Sequence, residues 1–356
     1  MGWACPSEAR VRANVSMRVT DCYRYRLRLE LWCMMFAYLS FYDKMYLTIM
    51  MRIEQKKVKN KDFYYLSERF NTGDVFKKIQ VYLGKNVPKD LSYHYNELKE
   101  KEQALVVQYQ PKVKDIENKL TRDTLCRLEV YKLDWKYFVA QKTERQRKQI
   151  FRDFAIRFIF ESNSIEGSRL TEDEVLKIVK KEYVKKTLPK KEVQEVYNSI
   201  NAIEYIQSGD FKLTQKHIKE LYSIITKDLG YETGFKTQNN SVNNKNTIEP
   251  KKVKSELKNT ITWYNKSKKQ GNPFMNAIIF HNRFEHIHPF LDGNGRTGRM
   301  ILIWMLMQTG YDVLLYKKKN MRKYFSALGH GDEGRYQKII IYSVEVYKQT
   351  IREFIK

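Results

Sequence analysis

The sequence predicts a mainly helical protein with a small β-meander in front of it, on three observations. From about residue 91 onward, apolar residues recur at helical spacing through a series of long stretches. Residues 51–85 instead carry short runs in which apolar and polar side chains alternate between turn residues. No Gly/Ser stretch is long enough to divide the chain into independent domains, and no internal repeat stands out.

A chain of 356 residues makes one large domain or two to three smaller ones. Its 42% hydrophobic and 13% aromatic content suffices for a sizeable core, which excludes wholesale disorder. The balance of 66 Lys plus Arg against 41 acids gives a net charge of +25. That excess attracts nucleotides, nucleic acid or acidic membrane surfaces, although a solvated Lys-rich surface explains many of these lysines as well. The four cysteines, Cys5, Cys22, Cys33 and Cys126, form no CxxC pair. They fit a reducing cytoplasm better than a secreted disulfide scaffold or a zinc module.

Residues 1–50 differ from the rest, with six arginines, a single lysine (Lys44) and three of the four cysteines. They read either as an N-terminal appendage or as a stretch translated from too early a start, and Met50 and Met51 just before the Lys-rich sequence favour the second. Residues 29–51 are apolar, but Glu30, Asp43 and Lys44 interrupt them and leave 12 uncharged residues between Glu30 and Asp43. A membrane span needs about 20, so neither membrane insertion nor a signal peptide is expected.

Residues 51–90 form the β-rich module, with runs over 63–66 and 75–83 separated by Asn71-Thr72-Gly73-Asp74; Ile79, Val81 and Leu83 alternate with Gln80 and Tyr82. A helical region over 91–211 follows. Its first patterns, 96–109 and 113–121, are split by Pro111. Further amphipathic stretches cover 127–165, 191–208, 214–229, 251–268, 274–287 and 336–355, and residues 212–352 make the core domain.

The chemistry concentrates in residues 288–299, HPFLDGNGRTGR, between two apolar helical stretches. Gly293 and Gly295 let the backbone fold closely around a ligand. Backbone N–H groups opening a helix make an anion nest. Arg296 and Arg299, one turn apart, can both reach one polyphosphate. Asp292 offers a hard oxygen suited to Mg²⁺, and His288 an imidazole suited to general-base work. Any one of these residues is ordinary in a helix–turn–helix; all of them in twelve positions are not.

The segment resembles the signature of the Fic family, His-x-Phe-x-Asp/Glu-Gly-Asn-Gly-Arg-x-x-Arg, at every defined position. The resemblance implies a Fic-type helical bundle with a β-hairpin flap, and a protein adenylyltransferase that moves AMP from ATP to a Tyr, Ser or Thr hydroxyl of a protein target. By position, His288 is the expected base, Phe290 a core anchor and Asp292 the Mg²⁺ ligand. Gly293, Asn294, Gly295, Arg296 and Arg299 are the expected phosphate binders. The related Doc kinases carry Lys where Gly295 stands, so glycine implies nucleotidyl rather than phosphoryl transfer. Tyr324, Phe325 and Asp332 occupy positions that commonly contact adenosine, but Phe325 and Asp332 depart from the usual Tyr and Asn, which leaves the base open.

Upstream, Ser162 and Glu166 share a helix face, Gly167 reads as the helix stop, and Thr171–Glu174 as a capping box. This junction resembles the Ser/Thr-x-x-x-Glu-Gly/Asn inhibitory motif, within an inhibitory helix near 147–167. The resemblance implies that Glu166 pairs with Arg299 where the γ-phosphate needs to sit. The polar, Asn-rich residues 234–248 resemble the flap that holds a target segment by main-chain pairing. His281, His286 and His288 have no zinc-site spacing, so no zinc is expected. Two alternatives remain at this level: the same site removing AMP with Glu166 orienting water, and a basic nucleic-acid-binding regulator with a vestigial Fic core.

Overall fold

The computed structural model describes residues 51–71, 75–109, 121–182, 187–242, 245–268 and 271–355. Residues 1–50 and most of the helix expected over 113–121 lie outside the described residues. Three antiparallel strands, β1 (Arg52–Val58), β2 (Lys61–Asn71) and β3 (Phe76–Gly84), pair in sequence order as the expected meander. Their alternation gives one apolar face, in which Leu66, Phe70, Ile79, Val81 and Leu83 are buried. That face packs on α1 (Ser92–Tyr109) through Leu98 and Val106, and on α2 (Arg122–Ala140) through Leu133 and Tyr137.

The stretch expected as one pattern over 127–165 is two helices, α2 and α3 (Glu144–Ile165). Thr143 explains the break: its side chain accepts from the Gln146 N–H while Gln146 accepts from the Thr143 N–H, so the polar groups restart a helix. The same device opens α4 (Glu172–Val179), where Thr171 and Glu174 form the expected capping box. Helices α5 (Lys190–Gln207), α6 (Gln215–Ile225), α7 (Pro250–Ser267), α8 (Pro273–Ile287), α9 (Asn294–Met307), α10 (Met321–Gly331) and α11 (Gln337–Ile355) complete the bundle. Between α6 and α7, β4 (Ser241–Val242) and β5 (Lys245–Asn246) pair as a minimal antiparallel hairpin within the expected flap.

Helices α8 and α9 run through the middle. Almost every residue from Phe274 to Phe284 and from Asn294 to Met307 is buried, including polar ones. A helix apolar on all sides needs neighbours on all sides, and α8 has them in α7, α9, α10 and α11. The turn joining α8 to α9 is therefore held on a rigid central pair. Among the described residues, no helix is long and apolar enough to cross a membrane.

Candidate active site

Helix α8 starts under a firm cap: the Asn272 side chain accepts from the N–H groups of Phe274 and Met275, and Pro273 occupies the first turn. It ends on His288, which adopts a left-handed backbone (φ 48°, ψ 64°) while its N–H donates to the Phe284 carbonyl at 2.9 Å. A non-glycine residue in this region stores strain, here at the residue proposed to act on substrate. The turn then reverses through Gly293, whose φ of 73° suits glycine, into α9.

Two side chains lock the turn. Phe290 is fully buried and stacks on Tyr222 with ring centroids 3.8 Å apart, the core anchor expected of it. The Asn294 side chain accepts from the Phe290 N–H and donates to the Phe290 carbonyl, both at 2.8 Å. Asn294 was expected among the residues that cradle phosphate oxygens; its side-chain amide holds the loop, and its backbone N–H opens the helix toward the anion site.

His288 is largely buried, and its Nδ1 lies 3.3 Å from the Glu285 carbonyl oxygen. Nδ1–H donates there, which leaves Nε2 with its lone pair. Burial pushes the imidazole down to about 4, with Lys236 a smaller contribution in the same direction. The ring is therefore neutral at physiological pH and able to take a proton.

The two arginines are held differently. Arg299, 3% exposed, donates from Nε to Ser162 Oγ at 3.0 Å, and from Nη2 to the Ser162 carbonyl at 2.9 Å and Glu166 Oε1 at 2.7 Å. Burial opposes its charge, but Glu166 and neighbouring groups more than offset this and hold the guanidinium above its ordinary value. Arg296, 5% exposed, pairs through Nη1 with Glu195 Oε1 at 2.9 Å, and its Nη2 lies 3.9 Å from Asp292. A methyl group added at Gly295 would overlap Glu166 Oε1 and crowd Arg299 Nη1. The Glu166 carboxylate thus lies directly against the helix-opening backbone and on Arg299, the pairing that the resemblance to the inhibitory motif implied.

Asp292 is half exposed and accepts from the Gly293 N–H. One accessible carboxylate beside an anion nest fits Mg²⁺, which keeps waters and substrate phosphate oxygens in its shell. Among the described residues, no cluster of three or more His, Cys, Asp or Glu could hold a metal on protein ligands alone.

A cavity of about 430 Å³ opens between α7, α8 and α10, lined by Trp263, Asn282, His286, Asp332 and Tyr336 among others. Of the three residues carried over as adenosine contacts, Asp332 lines it, and its carboxylate accepts from Asn282 Nδ2 at 3.0 Å. Tyr324 does not line it: it is buried, with its hydroxyl 2.6 Å from His281 Nε2. Phe325 packs against Tyr324 and is not part of the lining either. His281 is wholly buried, and burial pushes it down to about 3.

Sequence reading missed Glu195, Glu285 and Lys236. Glu285 is mostly buried beside Gly298, and desolvation pushes its carboxyl up to about 8. The signal for it was the i, i+4 pair with His281 on an apolar helix; nothing local pointed to Glu195 or to Lys236.

Residues 212–306 match the family model described as the Fic/DOC family. This stretch is similar to Fic domains. Proteins named protein adenylyltransferase Fic are similar to it: that of Drosophila yakuba is 32% identical over 80 residues, 22% of this chain and 16% of the relative. That of Nematostella vectensis is 24% identical over 218 residues, 58% of this chain and 50% of the relative. The chain thus spans half or less of the length of these curated relatives. Among solved structures, a Fic-domain-containing signaling protein from Bacteroides thetaiotaomicron superposes with a TM-score of 0.59 at 21% identity, covering 65% of this chain and 96% of that one. Fic-1 from C. elegans gives 0.56 at 21%, covering 74% and 78%. At these identities the likeness establishes the shared fold. The helical bundle is the one the sequence predicted.

Proposed function

We propose that this protein is a protein adenylyltransferase whose resting state is held off by Glu166. The observation that carries the reading is the juxtaposition of a neutral, strained His288 with a backbone anion nest and two buried arginines, one of them occupied by a carboxylate. In the proposed reaction, a Tyr, Ser or Thr hydroxyl of the target gives its proton to His288 Nε2 as its oxygen bonds to the α-phosphorus of ATP. The bond from that phosphorus to the bridging oxygen breaks, and pyrophosphate leaves with the electron pair.

The chain's own contribution is positioning and electrostatics. The N–H groups at Asn294 and Gly295 open the helix toward the anion site, that of Gly293 being given to Asp292, Arg296 waits beside them, and Arg299 becomes available only when Glu166 withdraws. Asp292 is the residue that would hold Mg²⁺, which when bound neutralises phosphate charge. Glycine at position 295 supports nucleotidyl over phosphoryl transfer, and the close packing of Glu166 on it leaves no room for a longer side chain.

The test is transfer of label from α-³²P-ATP to protein by the Glu166→Gly variant, with and without a second His288→Ala change. Transfer that survives His288→Ala unchanged rules out the base. Release of AMP from a pre-modified target, with no forward transfer, would favour removal of AMP over its addition.

A further inference from the structure

A buried lysine with no carboxylate partner among the described residues stands next to the proposed base. Lys236 begins the incoming limb of the 234–248 segment and is only 3% exposed. Lysines are almost never that buried unless paired with a carboxylate. The Lys236 Nζ instead donates to three neutral acceptors: Asn240 Oδ1 at 2.8 Å, Thr247 Oγ1 at 2.6 Å and the Ile287 carbonyl at 3.3 Å. Burial is the one resolved influence on it, lowering the ammonium to about 8, so it stays charged at neutral pH. Keeping a cation in such a place works against stability, so its retention calls for another explanation.

The partners supply one. Asn240 lies on the incoming limb and Thr247 on the returning limb, so Nζ bridges the two limbs below the β4–β5 pair. Ile287 is the last residue of α8, and the Lys236 N–H donates to the Pro289 carbonyl at 2.9 Å. Lys236 therefore holds the peptide carbonyls on both sides of His288. Asn240 extends the stitching by donating from Nδ2 to the Phe290 carbonyl at 3.0 Å. An ammonium against the last carbonyl of a helix is also favoured by the helix dipole. The left-handed backbone of His288 is costly on its own, and these bonds are what keep it in place.

We propose that Lys236 is a positioning residue that ties both limbs of the target-binding segment to the backbone flanking His288, so that base and acceptor hydroxyl are held in one register. It contacts neither the anion nest nor the arginines, so its effect falls on transfer to the protein target and not on nucleotide binding. The inference rests on the adenylyltransferase reading. It differs from the family signature in placing a determinant of the reaction about fifty residues upstream of the 288–299 loop.

The experiment compares Lys236→Met and Lys236→Arg in the active Glu166→Gly background, measuring ATP affinity by calorimetry and automodification from α-labelled ATP. Lys236→Met is expected to lower transfer by roughly 10–100-fold, the scale of a small misplacement of reacting groups, with ATP affinity within about twofold. Lys236→Arg keeps the charge and several donors and is expected to recover most of the rate. Unchanged transfer in Lys236→Met, or loss of ATP affinity in step with transfer, overturns the proposal. If Lys236→Met does not fold, Thr247→Val removes one of the three Nζ acceptors, and the same split between rate and affinity is read from it. Absence of ATP binding and of transfer in the Glu166→Gly parent would instead refute the underlying reading, so the two failures are distinguishable.

Discussion

Replacing Glu166 with glycine should make the protein less stable when empty and more active when supplied with nucleotide. Removing one partner of a fully buried ion pair costs about 3–5 kcal/mol. Glu166 is 31% exposed, and Ser162 keeps its two bonds to Arg299, so the figure is discounted to about 1–2 kcal/mol. Wild type gives up the same 1–2 kcal/mol to admit a phosphate at Arg299, a factor of roughly 5–30 in the competent population. Differential scanning calorimetry should therefore show the variant melting below wild type without ligand. ATP at about 100 times its Kd adds about 2.7 kcal/mol to a protein that binds it, and should stabilise the variant more than wild type. Automodification from α-labelled ATP should rise by roughly the same 5–30-fold. A variant that melts at or above wild type without ATP, gains no more from ATP and labels no faster would refute the reasoning.

Further outcomes follow from the same geometry. Gly295→Ala places a methyl against Glu166 Oε1 and Arg299 Nη1; it should displace Glu166 yet weaken ATP binding, so calorimetry should read lower affinity even in the Glu166→Gly background. Asn294→Ala leaves the buried Phe290 N–H unpaired at about 1–3 kcal/mol, while the Phe290 carbonyl keeps its bond from Asn240 Nδ2; urea denaturation should read that loss before any effect on nucleotide is considered. Burial lowers His288 to about 4 and His281 to about 3. Unfolded histidines take up protons near 6.5, so stability is complete above that pH and falls as pH drops toward 4. Base-dependent transfer should stay level from pH 8 to 5 and fail near 4; an acid limb centred near 6.5 would contradict the buried-histidine assignment. Asp292→Ala should raise the Mg²⁺ concentration needed for half-maximal transfer while leaving the melting temperature near that of the parent.

How much of this was legible in the sequence depended on how local the cause was. The helices were readable because their apolar spacing is local, and the Thr171–Glu174 cap because four residues specify it. The parallel cap at Thr143 and Gln146 was overlooked inside a longer amphipathic pattern, which is why α2 and α3 read as one stretch. The 288–299 loop was legible as a site since all its chemistry lies within twelve residues. Glu195 and Lys236 were not, because their importance arises from contacts with residues about a hundred and about fifty positions away. Tyr324 shows the opposite limit: a position carried over by resemblance is, in this chain, a core tyrosine bonded to His281.

The charges around the two arginines explain why Glu166, of the three nearby glutamates, is the one suited to the proposed switch. Glu285 is mostly buried near Arg299, and desolvation pushes it up to about 8, so at neutral pH it is mostly an uncharged acid. Glu195 is charged but holds Arg296 through Nη1, leaving Nη2 directed toward Asp292 and the loop. Among the described residues, Arg299 consequently takes its ion pair from Glu166, which is the more exposed of the two paired glutamates. Its withdrawal leaves one buried guanidinium uncompensated beside an open anion nest. A terminal phosphate restores that balance. The same electrostatic demand that keeps Glu166 in place when the site is empty therefore favours polyphosphate once Glu166 has moved.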